Sequence, residues 1–255
     1  MRSILTIAKK DFLSIVKSPK FFIVSGICTL FWSFQFVRGF IAFVEQTRGA
    51  AAMMGGGNAN IQYSVFMMHL SLVNLICLFA VPALTMSLLS EEKKMRTYDL
   101  LLTSPITATD IAIGKFLAGF GVAMVLVAIS LAYPVSTALF AKFNWAPLLT
   151  AYFGIVLVVG LYAAVGLFAS SLTESILLSV FMGFIFNLML WFIGQGSESI
   201  DNPTLLAVVE QISIGQQFMP FIRGTLKISS IVFFTSFIGL FVFLTQRVVE
   251  SARWR

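Results

Sequence analysis

Residues able to do chemistry are sparse in this 255-residue chain, and their spacing assembles no reactive set. The one histidine, His69, has no second ligand at helical spacing. The two cysteines, Cys28 and Cys77, stand in separate apolar runs without a CxxC spacing. That pattern suits small membrane-buried thiols, and no metal site is expected. The chain has no GxxxxGK[ST] loop to cradle phosphates, no HExxH pair and no carboxylate pair at helical spacing inside its apolar stretches. A membrane enzyme would need such groups, so no catalytic residue is expected.

Four polar side chains fall within apolar stretches: Gln35, Arg38, Asn74 and Asn187. An arginine at a helix centre costs about 2.5–3.5 kcal/mol and less near an end. Arg38 fits either snorkelling to the headgroups or contact with an anionic substrate. The three amides fit hydrogen bonds between helices or the wall of a transport cavity, so these four are the candidate substrate-pathway residues. His69 suits packing or hydrogen bonding better than a proton relay, because no other ionisable group shares its apolar stretch.

The densest polar cluster lies elsewhere. Glu91, Glu92, Lys93, Lys94, Arg96, Thr97 and Asp99 run directly into Leu100, Leu101, Leu102, Thr103, Ser104 and Pro105. Charged residues at its start, leucines along it and Ser104-Pro105 at its end predict a short helix over 96–103. A merely solvated loop would have no use for three consecutive leucines. A short rigid rod at a membrane surface can transmit force.

The elements that position this cluster follow from composition. Of all residues 58% are hydrophobic and 11% charged, so lipid rather than water must cover most of the surface. Apolar runs at 21–44, 62–89, 116–140, 147–170, 175–193 and 228–246 predict six transmembrane helices in one all-α membrane domain. Residues 3–18 alternate apolar and basic and stop at Pro19, which predicts an N-terminal helix on the interface. Residues 194–227 are too polar to span, yet Leu205, Leu206, Val208, Val209 and Ile212 keep a helical stripe; short helices at the outer leaflet are expected. Gly55, Gly56 and Gly57 mark a flexible connector after the first span. That span is too long for a cleaved leader's apolar core and is interrupted by Arg38, so it is expected to be retained. Pro82 and Pro134 should kink their helices. The pairs Gly119/Ala123, Gly160/Ala164 and Gly166/Ser170 should let backbones approach.

Cations set the expected orientation. Twelve of the seventeen Lys and Arg fall at the N-terminus, in the 90–115 loop or at the C-terminus, against four on the opposite face, which predicts both termini in the cytoplasm. The net charge of +6 is thereby spent on retention at the membrane, and no nucleic-acid partner is expected.

Residues 82–120, PALTMSLLSEEKKMRTYDLLLTSPITATDIAIGKFLAGF, resemble the permease subunits of type-2 ABC transporters, especially the gliding-motility permease branch. The resemblance is carried by Pro82, Leu84, Thr85 and Met86, then Glu91 to Lys94, Thr97, Asp99, Leu100 and Leu101. Thr103, Ser104, Pro105 and Gly114-Lys115-Phe116 follow in order. Arg96 stands where that family has glycine, and Asp99 where it has glutamate. Weaker similarity continues in Lys10-Asp11, Ser18-Pro19 and the last span. The resemblance implies a permease in a bacterial inner membrane, paired with a second copy or a related permease and driven by separate ATPase subunits that bind ATP and magnesium. It implies that Glu91 to Pro105 carry the coupling contact, and that an auxiliary extracytoplasmic subunit and a role in gliding or surface export go with the complex. Two other classes stay open on the residues alone. An ion-coupled secondary transporter would need inverted repeats and intramembrane acids. A non-transporting scaffold would leave the acid-base loop unexplained.

Overall fold

The computed structural model describes residues 2–52, 61–98, 103, 106–139, 143–194 and 202–253, and all regular structure among them is helical. The connector at Gly55–Gly57 and the run Asp99–Leu102 with Ser104 and Pro105 lie outside the described residues. In chain order the helices are α1 (Arg2–Val16), α2 (Pro19–Ala52), α3 (Met67–Thr85, entered through a π-helical turn at Gln62–Phe66) and α4 (Ser87–Lys94). They continue with α5 (Ala108–Thr137), α6 (Trp145–Leu172), α7 (Ile176–Phe192), α8 (Pro203–Ile212), α9 (Ile214–Ile222) and α10 (Ile228–Ala252).

Their starts are written in capping chemistry. Thr107 and Asp110 form a reciprocal capping box at α5. Asn144, Ser175, Asn202 and Ser213 each accept a first-turn N–H of α6, α7, α8 and α9. The apolar runs between caps then fold because no backbone group can go unpaired in lipid.

Helix α6 is the mast of the bundle, packed against α3, α4, α5, α7, α9 and α10. Small residues make this possible. A Cβ at Gly160 would meet Phe120 of α5 and Ile238 of α10 at 3.1–3.3 Å, and one at Gly166 would overlap Thr85 Oγ1 of α3. Gly119 of α5 and Gly183 of α7 approach the same stretch of α3 around Pro82 and Thr85, so three helices close on the proline kink where α3 gives way to α4.

Among the described residues five helical stretches are long and apolar enough to cross a membrane: α2, α3 continued into α4, α5, α6 and α10. Helix α7, with 17 residues and about 26 Å of rise, is at the short limit of a span. The sequence predicts the fifth span here, and the helix found is shorter than the five that are long enough to cross. It leaves the end of the bundle where α6 stops, and at its far end Gly194 abuts Ser213. Helices α8 and α9 meet at a 65° bend. They stay at that far end, since Phe221 lies on Gly154 and Gly224 on Pro147, both early in α6. The bent pair thus lies against the early part of α6, at the end of the bundle that α7 reaches. The third span begins earlier than its apolar run suggests: α5 starts at Ala108, so residues 108–115 of the expected 90–115 loop are helical, and α4 takes up the loop's start to Lys94.

Candidate functional site

The three scattered motif fragments meet at one end of the bundle. Helix α1 runs beside the first turns of α5. Gly114 receives Ile4 and Ile7, a Cβ there falling 3.0 Å from Ile7, and Gly121 receives the ring of Phe12. Between these contacts sits Lys115, 1% exposed and fully enclosed although charged. Its ammonium donates to Asp11 of α1 at 3.0 Å and to the Leu88 carbonyl at 2.6 Å, and it is ion-paired with Glu92 of α4 at 2.9 Å. Two hydrogen bonds and two carboxylates at ion-pair distance are what allow the charge to be buried. One side chain ties together the N-terminal helix, the helix after the second span and the start of the third.

Helix α4 is fixed from a second side. The helix breaks at Met86, where α3 ends and α4 begins. The N–H groups of Leu89 and Ser90 turn to Ser170 Oγ of α6, each at 3.0 Å, and Ser170 donates onward to the Met86 carbonyl at 2.8 Å. Ser90 Oγ and, at 3.4 Å, Ser179 Oγ of α7 donate to the same carbonyl. A serine on a neighbouring helix thus serves the first turn of α4 just past its break from α3. Lys93 closes the far end of the contact by donating to the Ser171 carbonyl, and its ammonium lies 5.3 Å from the Tyr98 ring centroid.

Helix α4 ends in a Schellman turn. Arg96 N–H bonds to the Lys93 carbonyl at 3.1 Å, and Thr97 N–H to the Glu92 carbonyl at 3.0 Å. Arg96 accordingly has φ +57°, the left-handed conformation that glycine adopts without strain. This is the position at which the resembled permeases carry glycine. A helix starting at Arg96, expected from the sequence, is corrected: Met95 caps α4, Arg96 follows it in the left-handed turn, Thr97 lies outside regular structure, and Tyr98 and Thr103 are helical. Glu91 is half-buried beside α1. Lys94, Met95, Arg96 and Thr97 are exposed in a row, with Lys94 and Arg96 as exposed cations at the helix's carbonyl end.

The four candidate pathway residues are not gathered into one site. Asn74 accepts from the Tyr162 hydroxyl of α6 at 2.9 Å, an interhelical bond. Gln35 is half-buried on α2. Arg38 is exposed on the same helix, its guanidinium 5.6 Å over the Phe34 ring. Asn187 is enclosed between α7 and its neighbours, with neither amide atom hydrogen-bonded among the described residues. His69 donates from Nε2 to the Ser130 carbonyl of α5, 3.2 Å away, between the rings of Phe36 and Tyr133. It packs and bridges helices. Cys28 and Cys77 are buried and free.

The arrangement ties α1, α4, α5 and α6 together at one end of the bundle. The model of the family described as ABC-2 family transporter protein matches residues 5–254 of the chain, nearly its whole length. The chain belongs to this family. No curated protein matches it. An ABC-2 transporter protein of this kind is the permease, the multi-pass membrane part of an ABC transporter.

Several contacts of the ABC-2 cluster have no signature in the sequence. Asp11, Glu92 and Lys115 are each conspicuous, but a pairing across 104 positions has no local signal. Ser170 reads as a small residue suited to close packing, and its bonds to α4 depend on a helix far away in the chain.

Proposed function

We propose that this permease is the membrane subunit of an ATP-driven exporter, coupled to separate ATPase subunits through α4 and the residues that follow it. The observation that carries this is the buried Lys115, which links Asp11 of α1, Glu92 of α4 and the first turns of α5, so that a push on the exposed turn Lys94–Thr97 moves three helices together. Asp99, Leu100, Leu101, Leu102, Ser104 and Pro105 extend the docking surface. Both termini and the coupling end are cytoplasmic, α1 lies at the inner interface of a bacterial inner membrane, and a second copy or related permease completes the pathway. ATP and magnesium act on the partner subunits. Nucleotide favours whichever arrangement of the permease pair it binds with the closed ATPase dimer, a shift in population. The resemblance to the gliding-motility branch points to cell-surface export or motility as the service.

The test is recovery of partners. Affinity-tagged permease drawn from its native membrane should bring an ABC ATPase subunit with it; repeated recovery with none would contradict the proposal. In the recovered complex, Asp99→Ala and Leu101→Ala should leave insertion intact and break the dependence of ATP hydrolysis on the permease, whereas His69→Gln should leave that dependence unchanged.

A further inference from the structure

A cavity of about 1430 Å³ opens between α4, the start of α7 and the end of α10. We propose that it binds a phosphate-bearing lipid, headgroup against α4 and acyl chain along α7. The site shares Lys94 and Arg96 with the turn assigned to ATPase coupling, and its test is made on the permease without ATPase subunits.

The wall of the cavity changes character along its length. At one edge stand Lys93, Lys94 and Arg96, with Glu174 as the acid opposite them. Lys93 donates to the Ser171 carbonyl, and its ammonium also faces the Tyr98 ring and the Glu174 carboxylate. At the other edge α7 begins. Its first-turn N–H groups have no acceptors within the helix, and Ser175 Oγ takes only that of Leu178. A phosphate placed there would meet three cations and the positive end of a helix dipole against a single carboxylate.

Past that edge the wall is apolar. Leu177 and Phe181, 69% and 55% exposed, lie one helical turn apart on α7 with Val180 beside them. The strip continues into Ile185 and Met189, also exposed, along a helix with no charged residue. An acidic peptide or a free nucleotide would satisfy the cations and leave this strip bare. A lipid covers both, because its charge and its chain are arranged in the same order as the wall.

The experiment uses the full-length permease in detergent, incubated with vesicles of phosphatidylglycerol or phosphatidylcholine, re-isolated, and its retained lipid counted by native mass spectrometry. Phosphatidylglycerol should be retained in preference to phosphatidylcholine. Lys94→Gln should lower its retention about fivefold, the effect of one cation near a charged headgroup, and Lys94→Arg should restore it. Leu177→Gln should also lower it. Lys9→Gln with Lys10→Gln, cations of α1 outside the cavity, should leave it unchanged, and each variant is checked by its melting profile. Equal retention of the two lipids, or equal loss from the α1 variants, would overturn the proposal in favour of general surface charge. Displacement by excess inorganic phosphate without any effect of Leu177→Gln would overturn it in favour of a free anion.

Discussion

The two ends of this bundle are fastened by different chemistry. At the end bearing α4, helices are joined by charge and hydroxyl groups: Lys115 with Asp11 and Glu92, Ser170 with the α3–α4 break, Lys93 with Ser171 and Arg253 with the Ile106 carbonyl. At the opposite end the contacts are shape. Gly154 receives Phe221, Gly224 with φ +81° lies on Pro147, and Phe66, Phe143 and Trp145 pack with ring centroids 4.9 Å apart, alongside a Ser230–Gln217 hydrogen bond. Apolar contact is non-directional and holds a bundle together in many registers. Buried polar contacts admit few arrangements, and in this permease they are concentrated where the chain must present a surface to something outside itself.

The largest break in that comparison should come from Lys115→Met. It strands Asp11 and Glu92 against each other, costing about 3 kcal/mol, the low end for a broken buried pair because both carboxylates keep some solvent. Reversible unfolding in mixed detergent measures it. The triple variant Lys115→Met, Asp11→Leu, Glu92→Leu should regain most of the loss, since the desolvation cost vanishes with the charges. No recovery would mean that the ions contribute more than geometry.

At the shape-fitted end, Gly154→Ala places a Cβ 2.5 Å from Phe221 Cβ, and about 1–3 kcal/mol of overpacking should appear in the same assay. It should leave any partner bound at α4 undisturbed, which Lys115→Met should not. The smallest effect sharpens the picture in the opposite direction: Arg96→Gly should stabilise by about 1 kcal/mol by relieving the left-handed backbone. A loss of stability there would show that the arginine side chain holds the turn.

Much of this architecture is legible in the amino-acid sequence. Helical membrane packing follows from runs of apolar residues that leave nothing polar to cover them. Pro82 announces a kink near the end of its helix, whereas the charges around Arg96 suggest a helix start where the structure has a left-handed turn. Helix ends are less legible, because Lys115 and Glu92 look like loop residues by charge alone. Their burial depends on partners from distant parts of the chain. The substrate pathway is least legible: polar residues in a span read alike whether they bond another helix, as Asn74 does, or stay unpaired among the described residues, as Asn187 does.

The most direct test of the coupling account is proximity in the native membrane. Arg96→Cys, on the exposed turn, is compared with Leu205→Cys on the exposed face of α8, using a short thiol crosslinker; the native Cys28 and Cys77 are buried and give a low background. The account predicts a crosslink from Arg96→Cys to an ATP-binding subunit and none from Leu205→Cys. Absence of that crosslink at Arg96→Cys, or an equal one at Leu205→Cys, would contradict it.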